Sequence, residues 1–414
     1  MVTLIKNIKK LIQTEETPRK WVAGKEMASL PAIENAWLMI EDDRIVDFGT
    51  MDSCPEPDEV SEIDVSGRMV MPTFCDSHTH LVYAGSREIE YGDKIRGLSY
   101  EEIAKRGGGI LNSTKLLGQT SEDELYEQAL ERIHEIIGFG TGAVEIKSGY
   151  GLDTENELKM LRVARRLKET TPITIKTTFL GAHSIPMEYR DDQSKFVDKV
   201  INEMIPAVAA EELADYIDVF CDKGFFTVED TERILMAGMK YGLIGKIHAN
   251  ELDYSGGIQV GVKYNARSVD HLEFVGSDEI KALQGSETMP TVLPGAAFFL
   301  NMKLSPVREM MNAGLPLALA SDYNPGSSPS GNMKFIMSLG CINYKMTPEE
   351  VINATTLNSA YAMGLEDELG SIAKGKIANL IITKPIPSFE YLPYAYTSHL
   401  VEQVMLNGEL INLD

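Results

Sequence analysis

Cysteine is scarce: the 414 residues include four, Cys54, Cys75, Cys221 and Cys341. None is spaced as CxxC or in recurring pairs. That excludes a disulfide scaffold and a cysteine-built zinc site, and it suits buried thiols in a reducing cytosol. Positive charge is also short, with 39 Lys and Arg against 62 Asp and Glu, a net charge of −23. No basic block offsets it, so nucleic acid and an anionic membrane are poor partners. An anionic substrate would need a local cation. No apolar run reaches membrane-spanning length. The stretch Met1–Lys20 is broken by Lys6, Lys9 and Lys10 and lacks the apolar centre of a secretory leader. The cytoplasm is the expected compartment. Internal repeats and low-complexity segments are absent, as is a Gly-rich phosphate turn after the first long strand. The last absence argues against an open, doubly wound nucleotide fold.

What is present is an alternation. Apolar strand candidates fall at 69–78, 141–149, 174–182, 215–221, 243–249, 267–272, 288–293 and 315–321. Between most of them lie segments of helical periodicity, such as Glu155 to Leu167 and Glu229 to Tyr241. Eight such units predict an α/β chain built on a (β/α)8 barrel. Both ends read differently, as short strands. Glu41-Asp42-Asp43 separates two strand-like runs, and Asn407-Gly408 is a strong two-residue turn signal. The expected organisation is a small β-sandwich built from residues 1–67 and 366–414, flanking a barrel over 68–365. Gly107-Gly108-Gly109 follows no strand and reads as a hinge or lid in the insertion at 84–118.

Chemistry in such barrels clusters at the C-terminal ends of strands. Five of the seven histidines sit there: His78, His80, His183, His248 and His271; only His134 and His399 do not. In His78-Thr79-His80 the two imidazoles project to one face of a strand, about 6–7 Å apart at Cα. With His248 and Asp322 they can form three imidazoles and one carboxylate, a set suited to zinc or iron with a position left for water. Water so bound has a pKa near 7. A second metal would need a bridging carboxylate or modified lysine at the end of the fourth strand. That place offers only Cys221-Asp222-Lys223, so one metal per chain is expected.

Glu251, three residues beyond His248, is placed to carry a proton to a leaving nitrogen; the bland reading is a hydrogen-bond partner to the ligands. His271 could orient water or polarise a carbonyl, or be an ordinary core histidine. Asp322 could be both ligand and proton acceptor. His183 could hold a polar ring edge, and Tyr150 could cap a small planar substrate. Tyr100 is a weaker candidate, better suited to packing at a helix start. Arg87, soon after the first strand, reads as a clamp for a carboxylate on an otherwise acidic protein. An ion pair with Glu88 or Glu90 is its bland alternative.

Taken together these residues resemble the amidohydrolase superfamily, and within it the imidazolonepropionase family. The resemblance runs through Thr79-His80-Leu81-Val82-Tyr83-Ala84-Gly85-Ser86-Arg87, Gly107-Gly108-Gly109-Ile110 and Glu145-Ile146-Lys147-Ser148-Gly149-Tyr150-Gly151-Leu152. It continues through Thr178-Phe179-Leu180-Gly181-Ala182-His183, Asp322-Tyr323-Asn324-Pro325-Gly326-Ser327-Ser328-Pro329 and Gly370-Ser371-Ile372-Ala373-Lys374-Gly375-Lys376. It implies hydrolysis of a small anionic cyclic amide, 4-imidazolone-5-propanoate, with Zn or Fe as cofactor, by a cytoplasmic homodimer. By motif position it assigns the metal to His78, His80, His248 and Asp322. Substrate contacts fall to Arg87, Tyr150, His183 and Glu251, and contacts with substrate or product to Asn324, Gly326 and Ser327. A nucleobase aminohydrolase would share the metal set but would not need Arg87 as an anchor. A non-catalytic, assembly-forming relative would usually have lost metal ligands.

Overall fold

The apolar run beginning at Met69 does not form one strand. It breaks at Thr73, and its halves enter different sheets. In the computed structural model, which describes residues 2–56, 59–98, 102 and 108–412, Met69–Pro72 (β5) pairs with Val2–Ile12 (β1) and Leu380–Thr383 (β14). Phe74–Thr79 (β6) pairs instead with Thr141–Lys147 (β7). Thr73 N–H donates to Asn379 O (3.0 Å) and Phe74 N–H to Gly140 O (3.0 Å), so the backbone changes partner within one residue. Tyr100 and Gly107 lie outside the described residues.

The remaining barrel strands follow in order: Thr174–Ala182 (β8), Tyr216–Cys221 (β9), Ile244–Ala249 (β10), Ser268–His271 (β11), Met289–Val292 (β12) and Ala318–Leu319 (β13). Together with β6 and β7 they form one eight-stranded parallel sheet in sequential order. The sheet is nearly closed. Asp322 N–H donates to His78 O (3.0 Å) and His80 N–H to Tyr323 O (2.9 Å), joining the chain after β13 to β6. Helices expected near 155–167 and 229–241 form at Thr154–Thr170 and Val228–Met239. The first is capped by Asp153 and the second by a Thr227–Asp230 capping box, which satisfy free N–H groups at each start.

The two ends of the chain meet in the other sheet, ordered β16-β15-β14-β5-β1-β2-β3, with β4 beside β1. Here β2 is Ala32–Glu41, β3 Arg44–Thr50, β4 Ser61–Asp64, β15 Val401–Leu406 and β16 Glu409–Leu410. It has its own core, including Ile5, Leu38, Val70, Leu380 and Met405. Both signalled turns form, with Glu41 opposite Arg44 and Leu406 opposite Glu409. They abut: a Cβ on Gly408 would lie 2.2 Å from Asp42 O, and Gly408 has φ +79°. Only glycine meets both constraints. Among the described residues no helix is long and apolar enough to cross a membrane.

Side-chain alternation sorts the barrel strands into two faces. Val144, Ile146, Ile217, Val219, Ile247 and Val269 join the large apolar core shared with helix residues Leu161, Leu235 and Ile258. Each such fully buried side chain contributes roughly 1.5–3 kcal/mol. The intervening residues, Glu145, Lys147, Asp218, Lys246, His248 and Asp270, are equally buried but polar or charged. The barrel is held from outside by hydrocarbon and filled inside by charge.

Candidate metal centre and substrate cavity

At the end of the barrel His78, His80 and Asp322 form one cluster of potential donors, and His248 adjoins it through His80. Asp322 Oδ1 lies 3.6 Å from both His78 Nε2 and His80 Nε2, and His80 Nε2 lies 3.4 Å from His248 Nε2. A tetrahedral ion with ligands at about 2.0–2.1 Å has donor–donor edges of about 3.3–3.4 Å. The buried His78 Nε2 has no hydrogen-bond partner. Burial, then neighbouring positive charge, holds the His78 and His80 rings well below the usual imidazole range, leaving them neutral. Neutral imidazoles facing one carboxylate oxygen fit a divalent metal. His183 and His271 are also close. His80, His183 and His248 form one cluster of potential donors, and His78, His248 and His271 another.

Backbone geometry aims these groups. Asp322 has φ 55° and His271 φ 85°, left-handed conformations unfavourable for residues with a Cβ. Asn250 adopts φ 56° just after β10, which swings Glu251 out of the strand direction. Asp222 fixes that turn by accepting from the N–H groups of Glu251 (2.7 Å) and Leu252 (2.9 Å). Asp222 therefore holds a loop at the place considered for a second metal.

Beneath the donors lies a layer of charge that sequence reading did not identify as part of the site. Asp270 Oδ2 lies 2.7 Å from His78 Nδ1, and Asp218 Oδ2 lies 2.9 Å from His248 Nδ1. Lys147 Nζ reaches Asp218 Oδ2 (2.8 Å), Glu145 Oε1 (2.6 Å) and Asp270 Oδ2 (3.7 Å). Lys246 bonds Glu145 Oε2 and donates to Ser77 O (3.0 Å), one residue before His78. Burial opposes ionisation of Asp218, but His248 and Lys147 outweigh it and hold the carboxyl well below its usual range. Burial likewise opposes the charge on Lys147, and Asp218, Glu145 and Asp270 outweigh it and raise its pKa. A carboxylate on the far nitrogen of an imidazole fixes its tautomer and turns the other nitrogen toward the centre.

A cavity of about 510 Å³ opens above the donors. Its wall includes Arg87, Tyr150, His183, Glu251, His271, Asp322, Asn324, Gly326 and Ser327, together with His80 and His248. His183 stacks on His80 at 5.0 Å between ring centroids, and its Nδ1 donates to Gly149 O (3.0 Å), leaving Nε2 as an acceptor. Burial, then His248, pushes the His183 pKa down to about 3. Tyr150 lies 5.8 Å from His80 and 5.6 Å from His183, ring to ring. Glu251 Oε2 is 3.7 Å from His271 Nδ1. Burial, with Asp222 adding repulsion, pushes the Glu251 carboxyl up to about 8. Three of the cavity's members, Lys94, Phe220 and Leu300, carry no motif signal and were missed in the sequence.

Two expected substrate contacts prove to be engaged already. Arg87 donates Nε (3.0 Å) and Nη2 (2.6 Å) to Glu90 Oε2, as the ion-pair alternative had it. Its Nη1 is left over Gly326, where a Cβ would come within 2.2 Å. The Asn324 amide is fully used within its own loop. Nδ2 donates to Asp322 O and Ser327 Oγ (both 2.7 Å), and Oδ1 accepts from the N–H groups of Gly326 and Ser327 (both 2.8 Å). Ser327 Oγ donates to Asp322 Oδ2 (3.3 Å). Asn324 shapes the loop that holds Asp322 and Gly326.

Comparison with known proteins gives three results. The amidohydrolase family profile matches residues 69–411. Over 411 residues the sequence is 57% identical to the imidazolonepropionase of Flavobacterium johnsoniae, covering 99% of this chain and all of that protein. It is 40% identical over 414 residues to the imidazolonepropionase of Alkaliphilus metalliredigens, covering 99% and 97%. Among solved structures, a triazine hydrolase variant aligns with TM-score 0.75 at 15% identity, covering 99% and 94%. A zinc-bound adenosine deaminase from Xanthomonas campestris aligns with TM-score 0.72 at 15%, covering 99% and 92%. At that identity these structures share the fold alone.

Proposed function

The chain belongs to the amidohydrolase family, among its imidazolonepropionases, and on that premise we propose how its cavity opens the ring of 4-imidazolone-5-propanoate. The reaction is hydrolysis of a cyclic-amide C–N bond, yielding N-formimidoyl-L-glutamate in histidine degradation. The observation that carries the reading is a single cavity lined by the donors His80, His248 and Asp322 together with Arg87. His78, His80, His248 and Asp322 would hold one metal ion per chain, zinc or iron. When bound it supplies a Lewis acid that makes water nucleophilic near neutral pH.

The chain's own groups do the rest. Arg87 draws in the propanoate carboxylate. Tyr150 and His183 close over the ring. Asp322 accepts a proton from the attacking water. His271 hydrogen-bonds the ring carbonyl oxygen as negative charge develops on it. Glu251, whose carboxyl stays protonated at neutral pH, donates to the ring nitrogen as the C–N bond breaks. Gly326 leaves room for the Arg87 guanidinium. Asn324 and Ser327 hold the loop behind Asp322. The enzyme acts in the cytoplasm as a homodimer, without nucleic acid or membrane.

The test is turnover. Purified protein loaded with one zinc or iron per chain should consume 4-imidazolone-5-propanoate and release N-formimidoyl-L-glutamate. Arg87→Ala should raise KM sharply while kcat changes little, because an anion anchor contributes uniform binding. A fully loaded protein that leaves this substrate intact but deaminates a nucleobase overturns the reading.

A further inference from the structure

Arg87, Glu90 and Lys94 lie on one side of the helix Glu88–Ile95 and its N-cap, three and four residues apart. Arg87 and Lys94 both line the substrate cavity, and with Glu90 and Gly326 they also line a small adjoining cleft. Glu90 Oε2 takes two donors of Arg87, so that pair is close to electroneutral. Its other oxygen, Oε1, is buried without a hydrogen-bond partner. An incoming carboxylate would meet Arg87 and the Glu90 charge together. Lys94 is different. It is half-buried. Burial, then repulsion from Arg87, lowers its pKa against the attraction of Glu90, and no hydrogen bond joins it to either. Two cations face one carboxylate, and among the described residues Lys94 has no ion-pair or hydrogen-bond partner, on a protein of net charge −23.

We propose that Lys94 is the second cation of the substrate-carboxylate subsite, shared with Arg87, and that it supplies the subsite's net positive charge. Arg87 gives direction through its remaining Nη1, and Lys94 gives charge balance. The reading rests on the proposed anionic substrate. It makes the cavity selective for a monoanion over a neutral ring of the same shape, since only a monoanion brings the cluster to neutrality.

The experiment uses the metal-loaded full chain and Lys94→Gln, with Lys94→Arg as a control that keeps the charge. Lys94→Gln should raise KM for 4-imidazolone-5-propanoate about tenfold with kcat within about twofold, the loss expected for one charge-assisted hydrogen bond. Lys94→Arg should stay within about threefold of the parent. Imidazole-4-propanoate as competitive inhibitor should lose affinity in Lys94→Gln in parallel, whereas its neutral propanamide should not. Unchanged KM in Lys94→Gln, or equal loss for acid and amide, overturns the role of Lys94 while leaving the function standing. Absence of turnover in the parent overturns the function itself.

Discussion

Replacing Lys147 with Met removes an ammonium that touches both carboxylates behind the imidazoles. At an effective dielectric of about 20, unit charges at the distances to Glu145, Asp218 and Asp270 attract by about 4–6 kcal/mol each before desolvation is subtracted. Most of that is offset on burial, and breaking such a buried set nets about 3–5 kcal/mol. Against a typical stability of about 5–15 kcal/mol, the single variant loses a large fraction of its margin. The informative protein is therefore Lys147→Met with Glu145→Gln, which removes one charge of each sign from the layer. It should recover only part of the lost stability, because it restores the layer's net charge but weakens the contact that Glu145 makes with Lys246. Asp218 and Asp270 remain but are no longer held together, so His248 and His78 lose their fixed orientation. Zinc affinity, read by competition with a chromophoric chelator, should fall about 10–100-fold, the usual effect of disturbing groups behind metal-binding histidines. A folded double variant that binds zinc as tightly as the parent would show that Lys147 only balances charge.

Gly326→Ala should behave like a weakened Arg87 variant, because its Cβ would sit 2.2 Å from Arg87 Nη1. KM should rise roughly tenfold with kcat little changed, and a crystal structure with the guanidinium unmoved refutes it. Glu251 sets a pH dependence in the metal-free protein. Its folded pKa, about 8, lies above the ordinary glutamate value of 4.5, so its stabilising share is present below about pH 4.5 and lost as pH rises through 8. Glu251→Gln stays neutral, so its melting temperature relative to the parent should climb between pH 5 and 8.5, and a constant offset contradicts that. Chelation should abolish turnover, and titration with zinc should restore it at one equivalent per chain; a break at two would place a second ion in the cavity.

The fold was legible because each barrel strand is an apolar run set between helical periods, and both terminal hairpins announce their turns. The break at Thr73 was not. Met69 to His80 is apolar and β-prone throughout, and only the partners Asn379 and Gly140, distant in sequence, divide it. The donor set was visible because histidines are few and sit at strand ends. The charged interior did leave a trace. In Glu145-Ile146-Lys147, Lys246-Ile247-His248 and Val269-Asp270, polar residues alternate with aliphatic ones in strands that a parallel barrel buries on both faces. Arg87 could be placed near the barrel mouth from sequence, with Glu88 or Glu90 as its alternative partner, but the choice of Glu90 depends on a helix start inside the insertion. Lys94 was invisible for the same reason.

The barrel closes where its ladder is shortest. β13 has two residues, and the chain beyond it reaches β6 through the Asp322–His78 and His80–Tyr323 backbone hydrogen bonds and through Ser321, whose N–H (2.9 Å) and hydroxyl both donate to the buried Asp76 carboxylate. His78 and His80 stand on one side of that join and Asp322 on the other. An ion held by all three would act as a clasp across the join, and chelation should loosen the barrel there. The chelated protein should then exchange the His80 and Asp322 amides ahead of those in β9 and β10.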